Sequence, residues 1–109
     1  MSIHKVTTAD EFTSIIEGNQ FVLVDYFTTW CTPCHLATPI VVDKSSIYPE
    51  VKFIKVDAEE LEGIATIHRV DAYPTFQFLE NGKEKNRLTG INGLSDRLED
   101  HLMQLINLQ

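Results

Sequence analysis

Long apolar runs are missing from this 109-residue sequence, in which the longest is FVLV at residues 21–24. A helix that crosses a bilayer needs about 20 mostly apolar residues, so no segment is predicted to span a membrane. Positive charge is also scarce, because 9 Lys and Arg stand against 16 Asp and Glu and give a net charge of −7. Proteins that bind nucleic acid need a basic surface to neutralise phosphates, and this composition excludes that class.

Cysteine is equally scarce, with only two in the chain. Two cysteines are too few for the disulfide framework of a small secreted domain. The first residues lead directly into patterned sequence without the apolar stretch of a signal peptide, so we expect a cytoplasmic protein. Cys31 and Cys34 lie together in a CTPC segment, and in a reducing compartment such a pair indicates redox or metal chemistry rather than a structural crosslink.

Strand and helix patterns alternate along the chain, which is 43% apolar and has no internal repeat or linker. Short runs of β-branched and aromatic residues predict strands, and apolar residues at helical spacing predict helices. Asn81-Gly82 predicts a tight hairpin between the last two strands. The predicted strands are residues 3–6, 21–27, 51–57, 75–80 and 85–89, and the predicted helices begin near residues 8, 32, 61 and 94.

This order, β-α-β-α-β-α-β-β-α, predicts a single α/β domain over residues 1–109. The alternating part requires parallel strands with helices on both faces, and the final hairpin adds an antiparallel edge. The result is a mixed five-stranded sheet. Residues 21–27 are almost continuously apolar, as expected for a central strand that is buried on both faces.

The two cysteines fall where a helix is predicted to begin. Cys31 precedes the helix and Cys34 lies one turn inside it, so the two sulfurs can form a small disulfide ring. A thiolate at a helix N-terminus is stabilised by unpaired N–H groups and by the positive end of the helix dipole. We expect Cys31 to be exposed and to attack, and Cys34 to be more buried and to resolve the mixed disulfide.

Two further residues stand out near these cysteines. Asp25 interrupts the buried strand, where burial is expected to raise the pKa of its carboxyl and allow it to accept a proton from Cys34. Pro74 follows Tyr73 just before a strand. Only about 5% of X–Pro bonds are cis, so the pattern alone favours a trans bond there.

The segment DYFTTWCTPC at residues 25–34, followed by Pro39, resembles the active-site segment of the thioredoxin family. The resemblance extends from Ile3 to Leu105, since other short motifs fall in the family's order and approximate spacing. These motifs are Val56-Asp57, Tyr73-Pro74-Thr75, Asn81-Gly82 and Thr89-Gly90. The resemblance implies the thioredoxin fold and a protein-disulfide reductase that works by dithiol–disulfide exchange.

The resemblance also implies roles for individual residues. Cys31 would be the nucleophile, Cys34 the resolving thiol and Asp25 the buried acid that assists proton transfer. Pro74 would be a cis-proline that faces the disulfide, and the backbone of Tyr73 would bind an extended client segment. The shallow apolar docking surface would be formed by Trp30, Pro74 and Gly90, while Pro33 and Pro39 would be structural.

The same resemblance implies which partners the chain would have and that it would bind no cofactor. Client proteins with disulfides would be the substrates, and an NADPH-dependent thioredoxin reductase would restore the dithiol. The chain itself would hold no cofactor and no metal. With no further cysteine for a covalent dimer, a monomer is expected.

Some positions depart from the family pattern. Thr32 stands where most members have Gly, which puts the redox potential in question. Tyr73 replaces a small aliphatic residue and is expected to narrow the substrate groove. Phe53 aligns with a lysine that bacterial members place near the buried acid, and Lys55 follows on the same face. Without that lysine, the pKa of Asp25 is expected to be higher still.

Other functions remain open from the sequence. Cys31, Cys34 and His35 are too clustered for tetrahedral zinc, which needs a second ligand pair at a distance, but cysteines of two subunits could bridge a metal cluster. A binding module that uses the surface around Trp30 is a second alternative, although binding alone would not need Cys34. An oxidase or isomerase is a third, for which Thr32 leaves room.

Overall fold

A computed structural model describes residues 3–107 as one sheet covered by helices on both faces. The strands are β1 (His4–Lys5), β2 (Phe21–Phe27), β3 (Lys52–Asp57), β4 (Thr75–Glu80) and β5 (Lys83–Thr89). The helices are α1 (Ala9–Gly18), α2 (Thr32–Ile47), α3 (Glu62–Ile67) and α4 (Leu94–Asn107). This order confirms the predicted α/β arrangement.

The five strands lie in the order β1-β3-β2-β4-β5. β1, β3 and β2 run parallel, whereas β4 pairs antiparallel with β2 and β5 antiparallel with β4. β2 is therefore hydrogen-bonded on both edges. Its partners place Asp25 beside Lys55 of β3 and beside Phe76 of β4.

Two apolar layers cover the two faces of the sheet. On one face, Leu23 and Phe78 pack in a cluster with α2 and α4 residues that include Val41 and Leu98. On the other face, Val22, Val24 and Tyr26 pack with Phe12 of α1 and with Ile64 and Ala65 of α3. Alternate residues of β2 thus enter opposite cores, which confirms that this strand is buried on both faces.

The hairpin between β4 and β5 is tighter than the sequence predicts. Asn81 and Gly82 have φ angles of 52° and 79°, the left-handed pair that closes a two-residue turn. β5 consequently begins at Lys83 instead of Lys85. The predicted start was wrong because polar residues at 83 and 84 give no strand signal, while the turn geometry itself returns the chain to the sheet.

Side-chain hydrogen bonds hold the start of α1. Thr8 is the N-cap, and its Oγ1 accepts a hydrogen bond from the Glu11 amide at 3.1 Å. The Glu11 carboxylate in turn accepts a hydrogen bond from the Thr7 amide at 2.7 Å, one residue before the cap. The helix therefore begins near residue 8, as predicted.

Leu102→Ala should destabilise the protein, because Leu102 is completely buried between α4 and the sheet. Truncating a buried leucine costs about 2–5 kcal/mol through lost burial and a residual cavity. Urea unfolding would measure this change. Met103→Ala is the matched control, since its neighbour Met103 is 46% exposed and should change stability by about 0.5 kcal/mol or less. Equal effects of the two variants would contradict this packing of α4.

Candidate active site

The cysteine pair lies at the N-terminus of α2. Cys31 is the N-cap residue, and its Sγ accepts a hydrogen bond from the Cys34 amide at 3.1 Å. Pro33 occupies the first turn, where no backbone N–H is needed. The two cysteines are joined in a disulfide with their Cα atoms 5.3 Å apart. A helix start thus presents an amide directly to the first sulfur.

The expectation that Cys31 is more exposed than Cys34 is wrong. Cys31 and Cys34 are each only 5% exposed. The Cys31 sulfur is bonded to the Cys34 sulfur and accepts the Cys34 amide N–H, so both sulfurs lie together at the first turn of α2. The neighbouring Thr32 and Pro33 are exposed instead.

Asp25 points from β2 into the core. It is 8% exposed, and its Oδ1 has no hydrogen-bond partner in the part of the chain that the structure describes. Burial raises the pKa of Asp25 to about 7, while the positive charge of Lys55 acts in the opposite direction. The predicted rise of this pKa is confirmed.

The positive charge near Asp25 comes from Lys55, because position 53 is a phenylalanine. Phe53 is buried in the apolar cluster beneath α2 and α4, as its position predicts. Lys55 nevertheless lies in register with Asp25, and its Nζ is 5.8 Å from the centre of the Phe27 ring. Asp25 therefore lacks the bacterial lysine, as expected, but Lys55 remains a positive neighbour that acts against the rise of its pKa.

Pro74 is preceded by a cis peptide bond, in agreement with the family resemblance and against the preference of the pattern alone. Its carbonyl accepts a hydrogen bond from the Gly90 amide at 3.0 Å. Gly90 has a φ of 76°, a left-handed conformation that favours glycine. The loop after β5 is thereby held next to the segment that precedes β4.

A shallow groove of about 500 Å³ runs beside the disulfide. Its lining consists of Trp30, Cys31, Thr32, Pro33, Asp71, Ala72 and Tyr73. Pro74 is buried and Gly90 half-buried, so both lie next to this lining without belonging to it. Trp30 and Tyr73 meet edge to face with their ring centres 6.5 Å apart, which brings the two aromatic residues to one groove.

Two acidic residues at this groove were not predicted from the sequence. Trp30 is 67% exposed, and its indole N–H donates to Glu59 Oε2 at 3.0 Å. Asp57 Oδ1 accepts hydrogen bonds from the amides of Glu59 and Glu60, which fixes the loop after β3. Asp71 belongs to the lining itself. The separation of these acids from Trp30 along the chain hides their proximity in the sequence.

The part of the chain that the structure describes does not provide the further ligands that a metal site at these cysteines would need. Among residues 3–107, no group of three or more His, Cys, Asp or Glu side chains is placed to hold a metal ion. His35 Nε2 instead lies 3.0 Å from the Thr29 carbonyl oxygen. None of the helices in that range is long and apolar enough to cross a membrane.

Comparison with known proteins agrees with this geometry. A sequence model of the family described as thioredoxin matches residues 3–104. The chain belongs to the thioredoxin family. Named thioredoxins are thiol–disulfide oxidoreductases, and the Cys31–Cys34 pair supports protein-disulfide reductase activity. In the general thioredoxin mechanism, thioredoxin reductase recycles the pair.

Individual thioredoxins are similar over most of the chain. Thioredoxin-1 of Saccharomyces cerevisiae is 40% identical over 85 residues, covering 78% of this chain and 82% of its own length. Thioredoxin-2 of Pyricularia oryzae is 35% identical over 84% of this chain, which spans only 54% of that longer relative. The structure of Plasmodium falciparum thioredoxin superposes with a TM-score of 0.88 and 33% identity, covering 94% of this chain and 98% of its own.

Asp25→Asn should change how stability depends on pH. The carboxyl has a pKa of about 7 in the folded protein, but an aspartate in an unfolded chain titrates near 3.9. Between these values the unfolded chain has released a proton that the folded protein keeps, so the free energy of unfolding falls as pH rises. The total fall from this group is about 4 kcal/mol, and the Asn variant should lack it.

Urea unfolding of the oxidised protein from pH 4 to pH 8 would measure this difference. Asp43→Asn, which removes an exposed carboxyl from α2, is the control. Parallel stability curves for the parent protein and Asp25→Asn over the whole range would contradict the raised pKa of Asp25.

Proposed function

We propose that this chain reduces client protein disulfides with Cys31 as the attacking thiol and Cys34 as the resolving thiol. The observation that supports these roles is the position of Cys31 at the start of α2, where its Sγ accepts a hydrogen bond from the Cys34 amide. A thiolate at this point is stabilised by the helix N-terminus. The same environment makes Cys31 a good leaving group in the second step.

The reaction then has two exchange steps. The Cys31 thiolate attacks one sulfur of the client disulfide, forms a mixed disulfide and releases the other client sulfur as a thiolate. The Cys34 thiolate next attacks the Cys31 sulfur, forms the Cys31–Cys34 disulfide and releases the second client thiolate. Two electrons pass from the dithiol to the client. Thioredoxin reductase restores the dithiol in the general mechanism of the family.

Asp25 is proposed to accept the proton that Cys34 must lose before it attacks. Burial holds the pKa of the Asp25 carboxyl at about 7, near the pH at which a general base works best. Asp25 Oδ1 has no hydrogen-bond partner within residues 3–107. The transfer is direct or passes through a water molecule.

Clients are proposed to bind in the groove beside the disulfide. Trp30 supplies an exposed apolar surface there, and the backbone of Tyr73 is assigned a hydrogen bond to an extended client segment. Pro74 would face the disulfide, and Gly90, bonded to the Pro74 carbonyl, would complete the surface. Thr32, Pro33 and Pro39 are assigned structural or tuning roles, Pro39 inside α2.

We further propose that residues 1–109 act as one domain, as a monomer, and in the cytoplasm. The intrachain disulfide uses both cysteines of the chain, so none is left for a covalent dimer. The scarcity of cysteine is typical of proteins in reducing compartments. One relative is named a mitochondrial thioredoxin, from Saccharomyces cerevisiae, so fractionation of the cells that express this chain is the direct test of location.

Cys34→Ser should convert the protein into a trap. Cys31 can still attack, but without the second thiol the mixed disulfide is not resolved and persists. Incubation with a disulfide-bonded protein such as insulin, followed by non-reducing electrophoresis and mass spectrometry, would detect an adduct through Cys31. Cys31→Ser is the matched control and should form at least about tenfold less adduct, because Cys34 is the third residue of α2 and not its N-cap residue. Adducts that form mainly through Cys34 would reverse the proposed roles.

Asp25→Asn should slow the resolving step. A positioned general base contributes roughly 10²–10⁴-fold, so resolution of a preformed mixed disulfide at pH 7 should slow by about a hundredfold. In the parent protein the rate should rise with pH through about 7, as the Asp25 carboxyl loses its proton, and that rise should be absent from the variant. Stopped-flow fluorescence of Trp30, the only tryptophan, provides the measurement. If the rate of Asp25→Asn rose with pH as that of the parent protein does, Asp25 would not be the proton acceptor.

A further inference from the structure

The groove beside the disulfide is acidic as well as aromatic. Asp71 is the one charged residue among the seven described residues that line it. Glu59 adds a second carboxylate beside the groove, because Glu59 Oε2 accepts the indole N–H of Trp30 at 3.0 Å. Glu59 and Asp71 are both exposed, so their charge faces whatever enters the groove.

The aromatic rings of the groove suit one kind of side chain. Trp30 and Tyr73 meet edge to face with their centres 6.5 Å apart. Lysine and arginine lay their apolar stems along such surfaces while the charged end remains in water, and their cations are attracted to aromatic faces. A carboxylate beside the exposed Trp30 and the half-buried Tyr73 therefore favours a basic side chain over an acidic one.

Nearby basic groups are directed elsewhere. Arg87 is within electrostatic reach of Asp71, but its guanidinium binds Glu84 Oε1 at 2.7 Å and the His68 carbonyl at 2.6 Å. Arg69 and Arg87 line a different depression, together with residues of α3, β4 and β5. Neither arginine belongs to the lining of the groove beside the disulfide. No positive charge among the lining residues therefore neutralises Asp71.

We propose that Asp71, with Glu59 beyond Trp30, makes this site selective for client disulfides that have a lysine or arginine close to the reactive cysteine. The inference rests on the proposed function and names the class of client that the groove takes. Asp71 is then a specificity-determining residue. An acidic residue at the same place in the client is disfavoured by like charge.

The test uses three disulfide-bonded peptides that differ only in one residue next to a cysteine, which is Lys, Gln or Glu. Single-turnover reduction by the prereduced protein, followed by Trp30 fluorescence, gives a second-order rate constant for each peptide. Two unit charges about 4 Å apart in water interact by about 1 kcal/mol, so the Lys peptide should react at least about fivefold faster than the Glu peptide. Added salt should reduce that ratio, since it screens exposed charges.

Variants then assign the preference to a residue. Asp71→Asn should lower the Lys-to-Glu rate ratio about threefold or more, since one of the interacting charges is lost, and Asp71→Lys should invert the preference. Glu17→Lys is the matched control, with the same change in net charge as Asp71→Lys. Glu17 lies in the last turn of α1, near the start of β2 and roughly 20 Å along the strand from the site. Glu17→Lys should leave the ratio unchanged.

Three outcomes would overturn the inference, and they are distinguishable. Equal rates for the three peptides with the parent protein would leave the reductase proposal intact and remove the selectivity. A shift of the ratio by Glu17→Lys as large as that by Asp71→Lys would assign the preference to net charge and not to the groove. Failure of the reduced parent protein to react with any peptide would contradict the proposed function itself.

Discussion

Strand β2 lies at the centre of the sheet, paired with β3 and β4 and covered by an apolar layer on each face. The remainder of the site depends on this burial. It removes water from the Asp25 carboxyl, which raises its pKa to about 7. It also fixes the end of the strand, from which the chain passes within a few residues to Trp30 and to the start of α2. One buried strand thereby supplies both the proposed proton acceptor and a rigid support for the cysteines.

The sheet brings separate parts of the chain to that end of β2. The loop after β3 contributes Glu59, the segment before β4 contributes Tyr73 and Pro74, and the turn after β5 contributes Gly90. Each is held by a specific contact: an indole–carboxylate hydrogen bond, an aromatic pair and a backbone hydrogen bond. The cysteine pair alone could exchange disulfides, but these contacts form the surface that we propose holds a client in place during exchange.

Much of this arrangement follows from local sequence patterns. The apolar run at residues 21–27 predicts a doubly buried strand and hence the raised pKa of Asp25, and the Asn81-Gly82 pair predicts the hairpin. What local patterns miss depends on contacts between distant residues. Local patterns do not indicate the burial of Cys31, whose sulfur is bonded to Cys34 and accepts a hydrogen bond from the Cys34 amide. Glu59 and Asp71 appear as ordinary surface acids until the fold places them beside Trp30 and Tyr73. The cis bond at Pro74 is indicated only by family resemblance, because no local pattern distinguishes it.

The reduction potential of the Cys31–Cys34 pair tests the central claim most directly, since the same groove and buried acid could serve either direction of exchange. Equilibration of the protein with defined ratios of reduced and oxidised glutathione, quantified by mass spectrometry after acid quenching, gives this value. A reductase requires a potential near the roughly −270 mV of thioredoxins, below most biochemical values for the cytosolic glutathione pool. A potential near or above about −180 mV, the value for protein disulfide isomerase, would contradict the account. Thr32 and Tyr73 would then have turned the site toward oxidation or isomerisation.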